Sequence, residues 1–177
     1  MNAFKTDLEA IRKRARANML DGAVTGAYKA DRIQVIAVLN EVLATEIVCT
    51  LRYKNHYFMA AGIHAKPVAD EFLEHANEEQ GHADAVAKRI TELGGNPNYN
   101  PEGLATRSHA EYREGKTLEE MITDDLIAER VAVETYSEIV RWLGSDDPTT
   151  RRLMEGLLAM EEEHADDLSN LLASMKR

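Results

Sequence analysis

The four prolines of this 177-residue chain, together with the glycines near them, mark three turns and leave long proline-free stretches between them. Pro67 lies shortly after Gly62, a dense Gly/Asn/Pro cluster fills 94–101, and Gly-Ser-Asp-Asp-Pro fills 144–148. Between these turns, apolar residues recur at the three- and four-residue spacing of a helix face. The sequence therefore predicts four long helices, at 32–60, 67–93, 118–143 and 148–174.

Residues at the predicted helix ends support these boundaries. Thr117 followed by Glu120 is a capping box, in which the two side chains satisfy free N–H groups of the first helical turn. Asp147 stands before a proline at the first helical position, where proline is well tolerated. Gly94 suits the left-handed conformation that commonly ends a helix.

The lengths of the connections predict how the helices are arranged. Short links between the first and second helices, and between the third and fourth, favour two antiparallel hairpins. The link at 94–117 is much longer than most connections in compact domains. A helix over 67–93 is roughly 40 Å long, and an extended link of this size can span it. We therefore predict an all-α fold, a four-helix bundle with one long crossover between its second and third helices.

Residues 1–31 are predicted to form an N-terminal extension to a bundle that occupies 32–177. Phe4, Leu8, Ile11 and Ala15 have helical spacing and lie opposite a basic cluster within residues 12–16. This pattern predicts a short amphipathic helix that packs on the bundle or on a neighbouring subunit. A DNA-binding arm is the alternative, but nearby acidic residues dilute the basic cluster.

Composition and charge exclude several classes of protein. The net charge of −10 opposes nucleic-acid binding, and no apolar run approaches the roughly 20 residues of a membrane span. The first residues lack the apolar segment of a signal peptide. The single cysteine, Cys49, excludes a disulfide framework and a thiolate-rich metal site. We therefore expect a cytoplasmic protein that binds neither DNA nor membranes.

Each predicted helix carries a glutamate near the middle of an otherwise apolar face: Glu46, Glu79, Glu129 and Glu161. Carboxylates buried at one level repel each other, and taking each ion out of water costs several kcal/mol. Two divalent cations would balance the four negative charges. The alternative is a polar core in which the side chains satisfy one another by hydrogen bonds.

Two of these glutamates belong to Glu-x-x-His pairs, which place both side chains on one helix face. His82 follows Glu79, and His164 follows Glu161. The arrangement is an internal repeat, because the lone glutamates and the pairs recur at nearly the same interval along the chain. Two helices with a lone glutamate and two with Glu-x-x-His are the pattern of carboxylate-bridged dimetal proteins. Oxygen and imidazole ligands without thiolate favour iron or manganese over structural zinc.

Four segments around these residues carry a family resemblance: LNEVLATE at 39–46, EEQGHAD at 78–84, DLIAE at 125–129 and EEEHADDL at 161–168. Over residues 32–174 the sequence resembles the ferritin superfamily, and most of all its bacterioferritin branch. The resemblance implies a ferroxidase centre of two iron ions, with manganese or zinc as substitutes in purified protein. It implies that Glu79 and Glu161 bridge the ions and that Glu46 and Glu129 are terminal ligands. The site residues implied are Glu46, Glu79, His82, Glu129, Glu161 and His164 as metal ligands and Tyr53 as the redox-active tyrosine.

The sequence also departs from the bacterioferritin pattern. Gln80 stands where that family has its haem-ligating methionine, so we expect no haem. The sequence after His164 is short and ends at Arg177, so we do not expect the short fifth helix of the family. The short C-terminal and long N-terminal parts resemble Dps-like mini-ferritins that keep a bacterioferritin-type centre. This resemblance favours a homo-oligomer of 12 subunits over one of 24.

Further polar residues lie close to the predicted centre. For His75, one turn before Glu79, two interpretations are open. It is a hydrogen-bonded core residue, or it serves the metal centre by supporting a ligand or binding iron transiently. Asp125, one turn before Glu129, is predicted to orient a ligand histidine. Cys49 is predicted to be a small buried hydrophobic residue rather than a redox group. The other histidines are predicted to lie at the surface or in loops: His56, His64 and His109.

Together these inferences predict a non-haem iron-storage ferroxidase that oxidises Fe(II) with O2 or H2O2 and stores the ferric product in a protein shell. A rubrerythrin-like di-metal oxidase or peroxidase without storage is the alternative. The sequence lacks a CxxC rubredoxin module that would supply its electrons. A non-catalytic helical interaction module is a third class, and the buried charges argue against it.

Overall fold

The structure, a computed structural model, describes residues 4–63 and 65–175, and every regular element within them is a helix. The four long helices are within two residues of their predicted bounds. His64 lies outside the described residues, so its predicted surface position is not addressed. The helices are α1 (Leu8–Ala15), a 3-10 turn (Met19–Asp21), α2 (Arg32–Met59), α3 (Ala65–Glu92), α4 (Leu104–Arg107), α5 (Leu118–Leu143) and α6 (Pro148–Met175).

Local signals at the helix ends act largely as predicted. Thr117 Oγ1 accepts a hydrogen bond from the backbone N–H of Glu120 at 3.2 Å. The Glu120 carboxylate reaches back to the N–H of Lys116, one residue before the position expected in a capping box. Gly94 follows α3 with φ +79°, the left-handed conformation that glycine adopts without strain. Helix α3 begins two residues before Pro67 because proline fits in the first turn, where its missing N–H leaves no helical bond unmade.

Two apolar clusters, one towards each end of the bundle, define the topology. One joins Leu39, near the start of α2, to Ile90, near the end of α3. The other joins Tyr53, near the end of α2, to Phe72, near the start of α3, and to Ile122, near the start of α5. Helices α2 and α3 are therefore antiparallel, whereas α3 and α5 run in the same direction. This confirms the four-helix bundle with a long crossover.

The crossover follows α2 along its length. The backbone N–H of Asn98 donates to Asn40 Oδ1 at 2.7 Å, and that of His109 donates to Thr45 Oγ1 at 2.9 Å. Further on, Arg52 donates to a carbonyl of the crossover at 3.3 Å. The length of the link is thus explained by the distance that it covers.

The expectation that no apolar segment approaches the length of a membrane span is wrong for α2, which is long and apolar enough to cross a membrane by length and composition alone. More than half of that apolar window is buried inside the bundle. Helix α2 is therefore a core helix of the bundle.

The N-terminal extension contains the predicted short helix but does not bury it. Helix α1 begins after Asp7, whose side chain accepts from the N–H of Ala10, and none of its residues is buried. Phe4 is 94% exposed, and Leu8 and Ile11 are exposed as well. The expected packing of this apolar stripe on the bundle is therefore absent from the single chain, and packing on a neighbouring subunit stays a prediction.

The second half of the extension is held to the bundle by Asp147. This buried carboxylate accepts from the Tyr28 hydroxyl at 2.9 Å and from Arg89 Nη2 at 3.1 Å. It also accepts from the backbone N–H of Thr150 at 2.9 Å, so it is the N-cap of α6. One side chain thus connects the extension, α3 and the start of α6.

Replacing Asp147 with alanine should lower the free energy of unfolding of the metal-free protein by about 3 kcal/mol. The change removes a helix cap and leaves the buried Arg89 without its main counter-charge. Denaturant unfolding followed by circular dichroism measures the loss. Asp146→Ala, which changes the exposed neighbouring carboxylate, is the matched control and should alter stability little. An equal loss in both variants would contradict a special role for Asp147.

Candidate metal centre

The four predicted glutamates meet in the middle of the bundle, one from each long helix. Each is at most 1% exposed, and the two apolar clusters lie on either side of them. Their helices place them there because each lies on a buried face that is mainly apolar. The carboxylates brought together are Glu46 from α2, Glu79 from α3, Glu129 from α5 and Glu161 from α6.

His82 faces one group of these carboxylates. Its Nδ1 atom lies 3.2 Å from Glu161, 3.4 Å from Glu46 and 3.5 Å from Glu79. One ligand atom from each of these four residues lies within 4.8 Å of every other. The group can therefore surround one metal ion.

His164 faces a second group. Its Nδ1 atom lies 3.5 Å from Glu79, 3.6 Å from Glu161 and 3.9 Å from Glu129. These four residues also offer ligand atoms within 4.8 Å of one another. Glu79 and Glu161 belong to both groups, as two carboxylates that bridge a pair of metal ions must.

The hydrogen bonding of these side chains tests whether metal ions fit. Both carboxylate oxygens of Glu79 and of Glu161 are buried without a hydrogen-bond partner among the described residues. The Nδ1 atoms of His82 and His164 are likewise buried without a hydrogen-bond partner among the described residues. Buried polar atoms are almost always paired, because leaving one unpaired costs about 1–3 kcal/mol. A pair of bound cations, one in each group, would give these unpaired atoms their partners.

The electrostatics point the same way. Burial and the charge of Glu79 raise the pKa of Glu161 to about 8. Burial and the neighbouring carboxylates Glu79 and Glu161 also raise the pKa of Glu46. Burial alone would lower the pKa of His82, but the surrounding carboxylates raise it to about 12. Without cations, the centre must therefore hold protons to balance its charge.

Two tyrosines bond to the carboxylates that belong to only one group. Tyr53 Oη donates to Glu129 Oε1 at 2.5 Å, across from α2 to α5. Tyr136 Oη donates to Glu46 Oε1, across from α5 to α2. Sequence reasoning gave a role to Tyr53 and none to Tyr136. The internal repeat was the signal that could have found it, because Tyr136 occupies the position of Tyr53 in the other half.

The prediction that Asp125 orients a ligand histidine is wrong. Its carboxylate instead accepts from Arg52 Nε at 2.6 Å and contacts His56 Nδ1 at 2.8 Å. Asp125 lies on the face of α5 that packs against α2, whereas the ligand histidines are on α3 and α6. His56 is fully buried in this contact, so its predicted surface position is also wrong.

The residue that holds one of the two predicted ligand histidines is Glu78, which sequence reasoning missed. Its Oε2 atom lies 2.8 Å from His164 Nε2, so the other ring nitrogen, Nδ1, faces the metal site. A carboxylate in this position fixes the orientation and tautomer of a metal-binding imidazole. The only sequence signal was its place directly before Glu79.

Two other predictions concern residues near the centre. Cys49 is buried, as predicted, and burial raises the pKa of its thiol. His109 lies in the crossover and is partly exposed, where its ring contacts Thr45 Oγ1 at 3.1 Å. Neither residue belongs to the two ligand groups.

The two halves of the centre match in their ligands but differ in their surroundings. Near Tyr53, the Asp125 carboxylate contacts both Arg52 and His56. On another side of the same tyrosine, His75 Nδ1 is 3.2 Å from the hydroxyl. No counterpart of these four residues beside Tyr136 is charged. The counterparts are Thr135 for Arg52, Ile139 for His56, Val42 for Asp125 and Leu157 for His75.

Comparison with known proteins agrees with this geometry. A family model of the ferritin-like domain matches residues 36–177. The chain belongs to the ferritin-like family. Bacterioferritin of Mycobacterium leprae is 32% identical to this ferritin-like protein over 142 residues, which are 80% of this chain and 85% of that one.

Solved structures of relatives have the same fold. The bacterioferritin-related protein of Bacteroides fragilis, described as a dodecameric thioferritin, is 31% identical with a TM-score of 0.81. The match covers 84% of this chain and 90% of that one. Rhodobacter capsulatus bacterioferritin, solved with a metal-free dinuclear site and haem iron, is 28% identical with a TM-score of 0.74. That match covers 84% of this ferritin-like protein and 89% of its relative, and the predicted family resemblance and fold are confirmed.

Metal binding to the metal-free protein should release protons and should weaken as the pH falls. At pH 7 the pKa values of Glu161 and His82 keep both groups protonated, whereas only their deprotonated forms bind a cation. Lowering the pH raises the number of protons that a cation must displace. Zn(II) titration in weakly buffered indicator dye measures the release, and calorimetry at pH 6 and pH 8 measures the affinity. Binding without net proton release would contradict this picture.

Proposed function

We propose that this protein is a non-haem ferroxidase that oxidises Fe(II) to Fe(III) within each subunit and stores the product inside a shell of subunits. The observation that carries the proposal is the pair of ligand groups that share Glu79 and Glu161 and leave their buried atoms without hydrogen bonds. A helical module used only for protein contacts would have no reason to keep these charges in its core.

The ligand chemistry favours iron. The four carboxylates are chemically hard ligands and the two imidazoles are of intermediate hardness, a combination that suits iron or manganese. Cys49 adds no thiolate, because burial raises its pKa and keeps the thiol protonated. Manganese and zinc remain competitors for the same ligands in purified protein. Gln80 is exposed and offers no thioether, so the proposed activity uses no haem.

Fe(II) is the substrate, and two Fe(II) ions together supply two electrons to O2 or H2O2. The protein holds the two ions at a fixed separation in a site that the apolar clusters shield from water. In this proposal, Glu79 and Glu161 bridge the ions, while Glu46 and Glu129 each bind one. His82 and His164 complete the two groups as neutral imidazoles.

Tyr53 is the tyrosine proposed to take part in electron transfer. Oxidation of a tyrosine releases its phenolic proton, so the hydroxyl needs an acceptor. Glu129 is placed to accept it at 2.5 Å, and His75 Nδ1 gives the oxygen a second partner at 3.2 Å. Among the described residues, Tyr136 has only Glu46 as a hydrogen-bond partner. The surroundings therefore favour Tyr53 over its counterpart in the repeat.

A shell of 12 subunits is the proposed assembly, in the cytoplasm. The Bacteroides fragilis relative is described as dodecameric. Closed shells are built from contacts repeated by symmetry, and the exposed apolar stripe of α1 offers one further contact surface. The acidic balance of the chain suits an interior that attracts cations.

The double variant Glu79→Ala/Glu161→Ala should lose fast Fe(II) oxidation, by at least about 100-fold, because both metal positions lose their shared ligands. Its helical content should be unchanged, since removing buried carboxylates also relieves repulsion. Stopped-flow absorbance and circular dichroism measure the two properties. Glu162→Ala, which changes an exposed neighbouring carboxylate, is the matched control. Full-rate oxidation in the double variant would refute the di-metal assignment.

The same assay separates the two tyrosines. Tyr53→Phe should bind metal normally and oxidise Fe(II) more slowly than Tyr136→Phe, because within the described part of the chain only Tyr53 has a second polar partner. Equal rates in the two variants would remove the special role of Tyr53.

The assembled protein should have a mass of about 240 kDa, twelve times the chain mass of 19.8 kDa. Light scattering measures this mass before and after iron loading. A mass of about 475 kDa would show a 24-subunit shell instead. A dimer that encloses no mineral would favour a rubrerythrin-like oxidase or peroxidase without storage.

A further inference from the structure

A small cavity of about 100 Å³ lies between α3 and α6, beside the di-metal centre. Five of its eight lining residues are carboxylates, and two more are the histidines His75 and His164. The function proposed above uses His164 as a ligand and leaves most of these residues without a role. Their chemistry matches that of a cation site, and their positions decide which of them can form one.

We propose that Glu71, His75 and Asp167 bind a third divalent metal ion. One ligand atom from each lies within 4.8 Å of the other two. His75 Nε2 is 3.5 Å from Glu71 Oε1, close enough for both to bind one ion between them. None of the three residues belongs to either group of the di-metal centre.

The buried imidazole of His75 distinguishes this site from a cluster of surface acids. Its side chain is only 3% exposed. The ring is held in place by stacking on His164, with centroids 4.1 Å apart, and by the contact of Nδ1 with Tyr53. Its Nε2 atom lies beside the Glu71 carboxylate, and a ligand atom of Asp167 is within reach of the same ring. A buried imidazole that lines the cavity with its second nitrogen beside a carboxylate is placed to bind a metal ion there.

The internal repeat supplies a built-in comparison. At the corresponding positions of the other half, the chain has Leu153 for Glu71, Leu157 for His75 and Ala85 for Asp167. The fold therefore accommodates apolar side chains at the corresponding place in the other half. Only one half replaces all three by metal-binding types, and of these His75 is buried while Glu71 and Asp167 are half-buried. The difference between the halves is what a metal site present in only one of them would require.

A second grouping in the same cavity is excluded by its hydrogen bonds. His75, Glu78 and His164 also lie close enough together to hold an ion. However, Glu78 already bonds to His164 Nε2 at 2.8 Å, and the other nitrogen of His164 faces the di-metal centre. Binding an ion there would break the contact that orients a ligand. Glu71 and Asp167 carry no such duty.

The third site is connected to the centre through His75. An ion on Nε2 leaves the ring proton on Nδ1, which then donates to Tyr53 Oη. The Tyr53 hydroxyl proton in turn points to Glu129. Occupation of the third site therefore fixes the hydrogen-bond direction at Tyr53. The identity of the ion as Fe(II) rests on the function proposed above, whereas the site itself requires only a divalent cation.

Crystals of the full-length assembled protein soaked with Zn(II) test the site by anomalous diffraction. We expect a peak at about 2.0–2.1 Å from His75 Nε2, in addition to peaks between the four central glutamates. Zn(II) binding in solution should show one ion fewer per chain in the double variant Glu71→Gln/Asp167→Asn. Glu74→Gln removes an exposed charge from the same cavity lining and should bind as many ions as the unchanged protein.

The outcomes separate the two proposals. Absence of a peak at His75, or an unchanged stoichiometry in the double variant, would refute the third site and leave the di-metal centre intact. An equal loss in Glu74→Gln would show general attraction by negative charge and would also refute it. A peak at His75 without peaks at Glu79 and Glu161 would support the third site and refute the di-metal centre.

Discussion

The main constraint on this structure is the repulsion among four carboxylates that the bundle holds away from water. Each is carried by a different helix, so no single helix can relieve the repulsion by local rearrangement. The apolar clusters above and below provide the burial that keeps the helices together, at roughly 1.5–3 kcal/mol per large buried side chain. The same burial removes the water that would otherwise screen the charges. Cations, or protons in their absence, would offset this repulsion.

Much of the fold could be predicted because its signals are local. Proline and glycine positions, caps and apolar spacing act within a few residues, and they placed the four long helices within two residues of their observed ends. The six residues of the two groups could be predicted because a glutamate or histidine on an apolar face is conspicuous, and both the lone glutamate and the Glu-x-x-His pair occur twice. The extension was harder, since the fate of an apolar stripe depends on what surrounds it, and in the single chain the α1 stripe faces outward.

The contacts between helices could not be predicted in the same way. Sequence spacing shows that Asp125 shares a face with Glu129, but not which residue of α2 lies opposite. The rotation of α2 against α5 decides that Arg52 and His56 meet Asp125, and the packing of α3 against α6 decides that Glu78 reaches His164. The repeat offered partial help, because the role of Tyr136 could have been found from Tyr53. It gave no help where the two halves differ, and those differences surround only one of the two candidate metal positions.

Each ligand group draws residues from both helical hairpins, and this has a mechanical consequence. The group around His82 takes Glu46 and Glu79 from the first hairpin and Glu161 from the second. The only covalent link between the hairpins is the crossover, most of which lies on the surface. A protease cut within it would divide the chain into two halves, neither of which holds a complete set of ligands. In a metal-loaded molecule, bonds from the ions to residues of both halves would then hold the two fragments together. Removing the ions with a chelator would allow the fragments to separate.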